Sequence, residues 1–371
     1  MARKTPALAD RLADRFISHD VNLHRLEASQ RRAMLRALTQ LEGELEKAIR
    51  RLARGEETFT LLRSRALLKT VRATIDTAYD KIHDKHRGML KELGTYETEA
   101  AARVVNRSIG VELLSVGVSE KVIDSMLDDN VVKGTPLKSF WNQQSEALFN
   151  NFAREMRAGI FAGETPQQLI QRVRGTKANN FKDGIMRTSR AGAEVVVRTA
   201  SQSILNDARM EMYQENADVL EGVQAQVVFD ERTTDICIAR SGFAWDLEGN
   251  PLPGTDTDEQ FPGPPPWHPN CRSTLIPVVR DLASLVSDQQ VQRSVRKELA
   301  KLPKSTQASM DGQIAGDLTY EQWLGTKSEA FQKEVLGPGR FALWQKDQIS
   351  LRDLIDQRGN PLTLDQLKEL D

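Results

Sequence analysis

The chain has 371 residues, 28% of them charged, with a net charge of −1 and only 6% aromatic residues. That length can hold two or three domains with cores of their own, and the wealth of Ala, Leu, Arg and Glu leans toward helix. No run approaches eighteen apolar residues, which excludes a membrane-spanning helix. Met1-Ala-Arg-Lys-Thr-Pro6 has no apolar run behind it and reads against a secretory signal. Two cysteines are too few for a disulfide framework, so a cytosolic origin is the default.

The first hundred residues carry 20 Lys/Arg against 15 Asp/Glu, a net of +5, whereas positions 230–260 carry 8 Asp/Glu against 2 Lys/Arg. The basic end could touch DNA, although a solvated helical face is the simpler reading. No proline falls between Pro6 and Pro136. Leu35, Leu38, Leu41, Leu45, Ile49 and Leu52 recur at steps of three and four, one stripe of an amphipathic helix. The stripe is short for a coiled coil and fits a packed hairpin or a partner-binding helix. Arg50, Arg51 and Arg54 suit its negative end, with Gly55 as stop.

A second helix is expected over 58–93, broken at Gly94-Thr95, and helical character resumes over 100–127 with interruptions at Gly110 and Gly117. After a turn at Lys133-Gly-Thr-Pro136, positions 137–161 form a helix with Phe140, Leu148, Phe152, Met156 and Ile160 on one face. Thr165 is an N-cap with Pro166 at the first helical position. A basic linker covers 172–182. A long helix over 191–213 turns Val195, Thr199, Gln202, Leu205 and Ala208 inward. His19, His24, His83 and His86 read as solvated surface.

Three short strands follow, at 223–229, 243–247 and 272–279. Helical pattern returns after Arg280, 302–316 reads as a polar linker, and short helices are expected around 320–324, 328–336, 340–346 and 362–370. The fold class is therefore mainly α with a small antiparallel β-sheet (α+β). Its segments are an elongated helical region (1–160), a compact core (160–285), a helix and linker (286–316) and a helical tail (317–371).

The chemistry concentrates in 230–277. Both cysteines, Cys237 and Cys271, fall here with His268, the one histidine beyond position 86, and eight of the fourteen prolines fall between Pro251 and Pro277. Two thiols and an imidazole are ligand types zinc prefers, and a fourth would have to come from Asp230 or Asp235. Buried free thiols and a disulfide are the other two readings. A nucleophilic cysteine activated by His268 lacks a marked orienting group and oxyanion hole. Asp230 is expected to cap the turn at Arg232-Thr233, Arg232 to pair with it, Pro269-Asn270 to form a turn, and Trp267 to anchor the loop.

The series Asp230-x-Arg232-Thr233, Cys237, Gly242 and Pro266-x-His268-Pro269-Asn270-Cys271-Arg272 resembles the phage head morphogenesis domain. That family includes the F protein of phage Mu and minor head proteins encoded beside the portal gene. Arg198-Thr199 and Asn206 are similar to the family's preceding helix, although Ala200 stands where an acidic residue is common. Ser273 stands where the family frequently has a further cysteine. Gly163-Glu-Thr-Pro166 and the tail, from Thr319-Tyr-Glu-Gln-Trp323 to Leu367, extend the likeness to roughly 140–371.

The resemblance implies a non-enzymatic minor head protein of a tailed phage. It would act in head morphogenesis, with DNA packaging or ejection as further roles. Its partners would be the portal protein and other head proteins, and packaged double-stranded DNA would be met through the basic N-terminal helices. Its place would be the head interior or portal vertex of the virion, after synthesis in the host cytoplasm. The only cofactor that enters is structural zinc, at Cys237, His268, Cys271 and Asp230. The rival functions are a metal- or Cys/His-dependent hydrolase or nuclease centred on Cys237, His268 and Cys271, and a scaffold-like adaptor that leaves before maturation.

Overall fold

The structure is a computed structural model that describes residues 6–52, 61–109, 112, 114, 118–129, 131, 134–255, 257–280, 306–310, 312–315, 318–356 and 359–370. The protein is mainly helical with a small antiparallel sheet. It divides into two compact units: residues 23–94 with 120–204, and residues 1–22 with 95–119 and 205–371.

Among the described residues, the regular elements of the first unit are all helices. They are parts of α1 (Pro6–Leu52), α2 (Leu61–Ile109) and α6 (Met186–Glu215), together with α3 (Glu120–Asp129), α4 (Leu137–Phe161) and α5 (Pro166–Arg174). The α1 stripe is core: Leu38, Leu41, Leu45 and Ile49 are buried, and Leu67, Val71, Ile75, Ile82 and Leu90 repeat the same helical spacing along α2. Gln30 donates to the Met89 carbonyl at 3.2 Å and accepts from Ser201 at 2.8 Å, so polar bonds fix the register of the packed faces. The buried side of α4 is Trp141, Leu148, Phe152 and Met156, with Phe140 and Ile160 only partly covered.

Three expectations fail in this unit. Gly94-Thr95 does not break the second helix; α2 runs through it. A Cβ at Gly94 would stand 3.2 Å from side-chain carbons of both Ile123 and Ile204. The glycine thus permits close packing, which offsets its poor helix propensity. His86, expected on a solvated face, is fully buried and accepts the Trp141 indole N–H on Nδ1 at 3.2 Å. Burial pushes its pKa down to about 3, and the nearby His83 adds to that. The basic stretch 172–182 is no loose linker either: Asp183 accepts from the Thr176 backbone and from the Thr176 and Asn179 side chains. Thr165 caps α5 as expected, in a reciprocal box with Gln168.

The second unit holds the sheet. Strands β1 (Leu220–Gln226), β2 (Ala244–Asp246) and β3 (Thr274–Val279) are ordered β2-β1-β3, all antiparallel, with Val223 facing Trp245 on one side and Pro277 on the other. The first strand starts three residues earlier than its β-branched run suggests and ends before Val227. A short helix, α7 (Asp235–Ala239), intervenes between β1 and β2. In place of the linker expected at 302–316 there is a hairpin of β4 (Thr306–Ser309) and β5 (Gly312–Ala315), bridged to Phe229 through Ser309. The helix expected after Arg280 and the stop at Gly55 lie outside the described residues, as do Gly110 and Gly117.

Two apolar clusters flank the sheet. Leu12 and Phe16 of α1, Ala101 and Val105 of α2, Tyr213 of α6 and Leu220, Val223 and Leu275 form one. At its edge Arg209 is buried against Glu97, Asp20 and Thr274 and lies 4.9 Å from the centre of the Phe16 ring. His19, also expected at the surface, is buried against Glu97 at 2.6 Å. The other cluster joins Phe229, Cys237, Trp245, Trp267 and Cys271 to the tail residues Tyr320, Trp323, Leu324, Phe341, Leu351 and Leu354. The tail supplies α8 (Tyr320–Gly325), α9 (Glu329–Gln345) and α10 (Leu364–Lys368). Within α9, Gly337 takes φ 75° and kinks the helix ahead of Pro338.

Candidate metal centre

The proline-rich loop brings the three soft ligands together. Cys237 lies in α7, and His268 and Cys271 lie in the turn that feeds β3. Asn270 takes the left-handed conformation (φ 61°), which a short Asx side chain tolerates, and reverses the chain between them. Cys237 Sγ is 3.1 Å from His268 Nε2 and 3.7 Å from Cys271 Sγ. All three ligand atoms fall within 4.8 Å of one another. Both cysteines are free and buried.

His268 Nδ1 donates to the Pro269 carbonyl at 2.9 Å, which leaves the Nε2 lone pair facing the sulfurs. Ser273 Oγ donates to Cys237 Sγ at 3.1 Å. The two thiols compete for one proton. The hydrogen bond from Cys237 holds Cys271 down to about 4 against the opposing effect of burial, with His268 helping. Cys237 is correspondingly pushed well up. Burial disfavours the His268 cation, but its hydrogen bond to and attraction by the Cys271 thiolate outweigh that and raise its pKa.

Asp230 takes a different place from the ligand role expected of it. Its oxygens accept two bonds from Arg272, both 2.6 Å, and one from the Arg232 backbone at 3.0 Å. Thr233 Oγ1 adds a contact at 3.1 Å and donates to the Val228 carbonyl at 2.6 Å. The Arg232 side chain is largely exposed, 3.4 Å from Asp230. Asp235, the other candidate fourth ligand, pairs with Arg340 of the tail at 2.6 Å. Trp267 is buried as an anchor, donating to the Gly263 carbonyl at 3.0 Å.

Asn206, fully buried in α6, accepts from Thr274 Oγ1 and the Leu275 backbone at 3.1 Å each, tying that helix to β3 just past Cys271. Thr199 is buried, and Arg198 reaches Glu27 at 3.5 Å in the helical unit.

Several supporting residues carry no sequence signal. Buried Arg240 pairs with Glu259 and stacks over Trp267, 5.0 Å from its centroid. Tyr320 donates to the Asp230 carbonyl at 2.8 Å. A small hollow beside Cys237 and His268 is lined by Thr233, Thr234, Asn270, Arg272 and Ser273.

The arrangement is a two-thiol, one-imidazole cluster with both sulfurs buried and His268 partly exposed, flanked by the Asp230–Arg272 and Asp235–Arg340 ion pairs. Compared with known proteins, residues 150–276 match the family described as Phage Mu protein F like protein. No curated protein and no solved structure matches the chain. The matched segment, about a third of the chain, spans the Asn206 helix, β1, β2 and all three soft ligands, and is similar to the Phage Mu protein F-like family there.

Proposed function

We propose that this chain is a minor head protein of a tailed bacteriophage that acts in head morphogenesis, docked on the portal inside the head. The observation that carries this reading is the family match over 150–276, which covers the Asp230–Arg272 brace and the Cys/His cluster together. The cluster's burial supports architecture over chemistry. Cys237 and Cys271 are 2% and 1% exposed, so a substrate would have to open the core to reach either sulfur.

The test is a phage carrying this gene with an early stop codon, complemented by wild-type protein or by His268→Ala. Loss of infectious heads without complementation, and the protein's presence in purified virions by mass spectrometry, are the expected results. Absence from virions would move the reading to an adaptor that leaves before maturation. Normal heads together with a nuclease or peptidase activity abolished by His268→Ala would replace it with the hydrolase.

Contact with packaged DNA through the N-terminal helices is a second element of the proposal, resting on the +5 excess of the first hundred residues. Part of that charge is already committed: Arg87 pairs with Asp124 and Asp128, and Lys91 with Glu120 and Asp124. Filter binding at rising salt is expected to show a shallow loss of affinity with few phosphates neutralised. Affinity indifferent to salt would remove DNA from the partners.

A further inference from the structure

The geometry points to a zinc site held by Cys237, Cys271 and His268, with Ser273 at the fourth corner. The site stands independently of the head-protein reading. In a tetrahedral zinc centre with metal–sulfur bonds of about 2.3 Å, two thiolates sit about 3.8 Å apart. The observed Cys237–Cys271 separation is 3.7 Å, whereas a disulfide would need about 2.05 Å. The sulfur–imidazole edge of such a centre is about 3.6 Å. Cys237 and His268 are 3.1 Å apart, so that edge has to open by about half an ångström.

The imidazole is already committed to the ligating tautomer. Its Nδ1 proton is held by the Pro269 carbonyl, which directs the Nε2 lone pair at the sulfurs. The neighbouring carboxylates cannot close the tetrahedron without abandoning arginines, since Asp230 is engaged by Arg272 and Asp235 by Arg340. Ser273 is better placed. It lies two residues beyond Cys271, immediately ahead of β3. Its hydroxyl is 3.1 Å from Cys237 Sγ and, with Cys237 and His268, it lines the small hollow. A weak hydroxyl or water ligand at one corner makes a three-ligand site, tighter than adventitious binding and looser than a four-ligand clamp.

The full-length protein, purified under reducing conditions, should carry close to one zinc per chain by elemental analysis. Both thiols should resist an aromatic disulfide reagent until a chelator removes the metal. Cobalt(II) in its place should give the intense visible bands of a tetrahedral ion and a sulfur charge-transfer band. Removing His268 or Cys271 should weaken zinc by more than the roughly 10- to 100-fold lost when only a hydrogen-bonding partner of a ligand is removed. Ser273→Cys should tighten zinc and raise the charge-transfer intensity by about half, since a third thiolate joins two. That variant keeps the proposal testable if the ligand deletions fail to fold. Metal-free protein that takes up neither zinc nor cobalt with both thiols reduced would overturn the site. A Ser273→Cys variant with unchanged affinity and spectrum would overturn its fourth corner.

Discussion

Asp230 shows how one carboxylate can be read two ways from sequence and only one way in space. Near two cysteines and a histidine it passes for a ligand, yet Arg272, one position beyond Cys271, takes both of its oxygens. Burial alone would raise its pKa, but the hydrogen bonds and charge of Arg272 prevail and hold it at about 2. A carboxyl depressed in this way stabilises the fold fully above its unfolded value near pH 4 and loses that contribution as pH falls toward 2. Asp230→Ala leaves Arg272 three-quarters buried without its partner and should cost about 2–3 kcal/mol, seen as a lower urea midpoint at unchanged slope. A drop below about 0.5 kcal/mol would show the brace to be ornamental.

The histidines carry the opposite lesson. His86 sits three residues from His83 in a helix rich in charge, and nothing in that pattern marks it as core. Its burial comes from Trp141 of another helix, fifty-five positions away. The neutral ring accepts the indole proton, and protonation is resisted down to about pH 3. The unfolded chain takes up that proton near pH 6.5, so stability should fall as pH drops from about 6.5 toward 3, at up to ~1.4 kcal/mol per pH unit. His86→Gln keeps an acceptor for Trp141 and removes the titration. Its stability should therefore fall less steeply between pH 6.5 and 4 than that of the wild type, measured by urea midpoints at each pH. Parallel slopes for the two proteins would refute a buried neutral His86.

At the scale of elements, legibility followed the range of the determining interaction. The α1 stripe, the Thr165 cap and the break between residues 336 and 340 of α9 are local patterns, and each is readable because its cause lies within a few residues. Gly94 is not, because its reason lies in α3 and α6. A glycine in a helix-forming run signals a stop when viewed alone, but here the missing Cβ is what Ile123 and Ile204 pack against. Gly94→Leu should therefore destabilise the protein by roughly 1–3 kcal/mol through overpacking, despite the better helix propensity of leucine. Circular dichroism melts of the variant would check it. A raised melting temperature would mean that propensity outweighs packing at this site and that the helices have room to part.

For the molecule as a whole, the cluster around Cys237 and Cys271 is completed by residues far along the chain. Tyr320 bonds back to Asp230 across ninety positions, and Arg340 reaches Asp235 across more than a hundred. The sequence shows the tail's short helices but not what they cover, since two or three apolar residues on five- and six-residue helices give too little periodicity to name a partner face. Tyr320, Trp323, Leu324, Phe341, Leu351 and Leu354 are each no more than 3% exposed. At about 2 kcal/mol per buried side chain, losing all six removes on the order of 10 kcal/mol, comparable to the whole stability of an ordinary domain. A chain ending after residue 317 should thus aggregate, or remain soluble only with Trp245 and Trp267 exposed and both thiols reactive. Should that shortened chain stay monomeric, with native tryptophan fluorescence and protected cysteines, the matched region would be a self-sufficient domain and the tail an appendage, which the packing of Trp323 against Phe229 argues against.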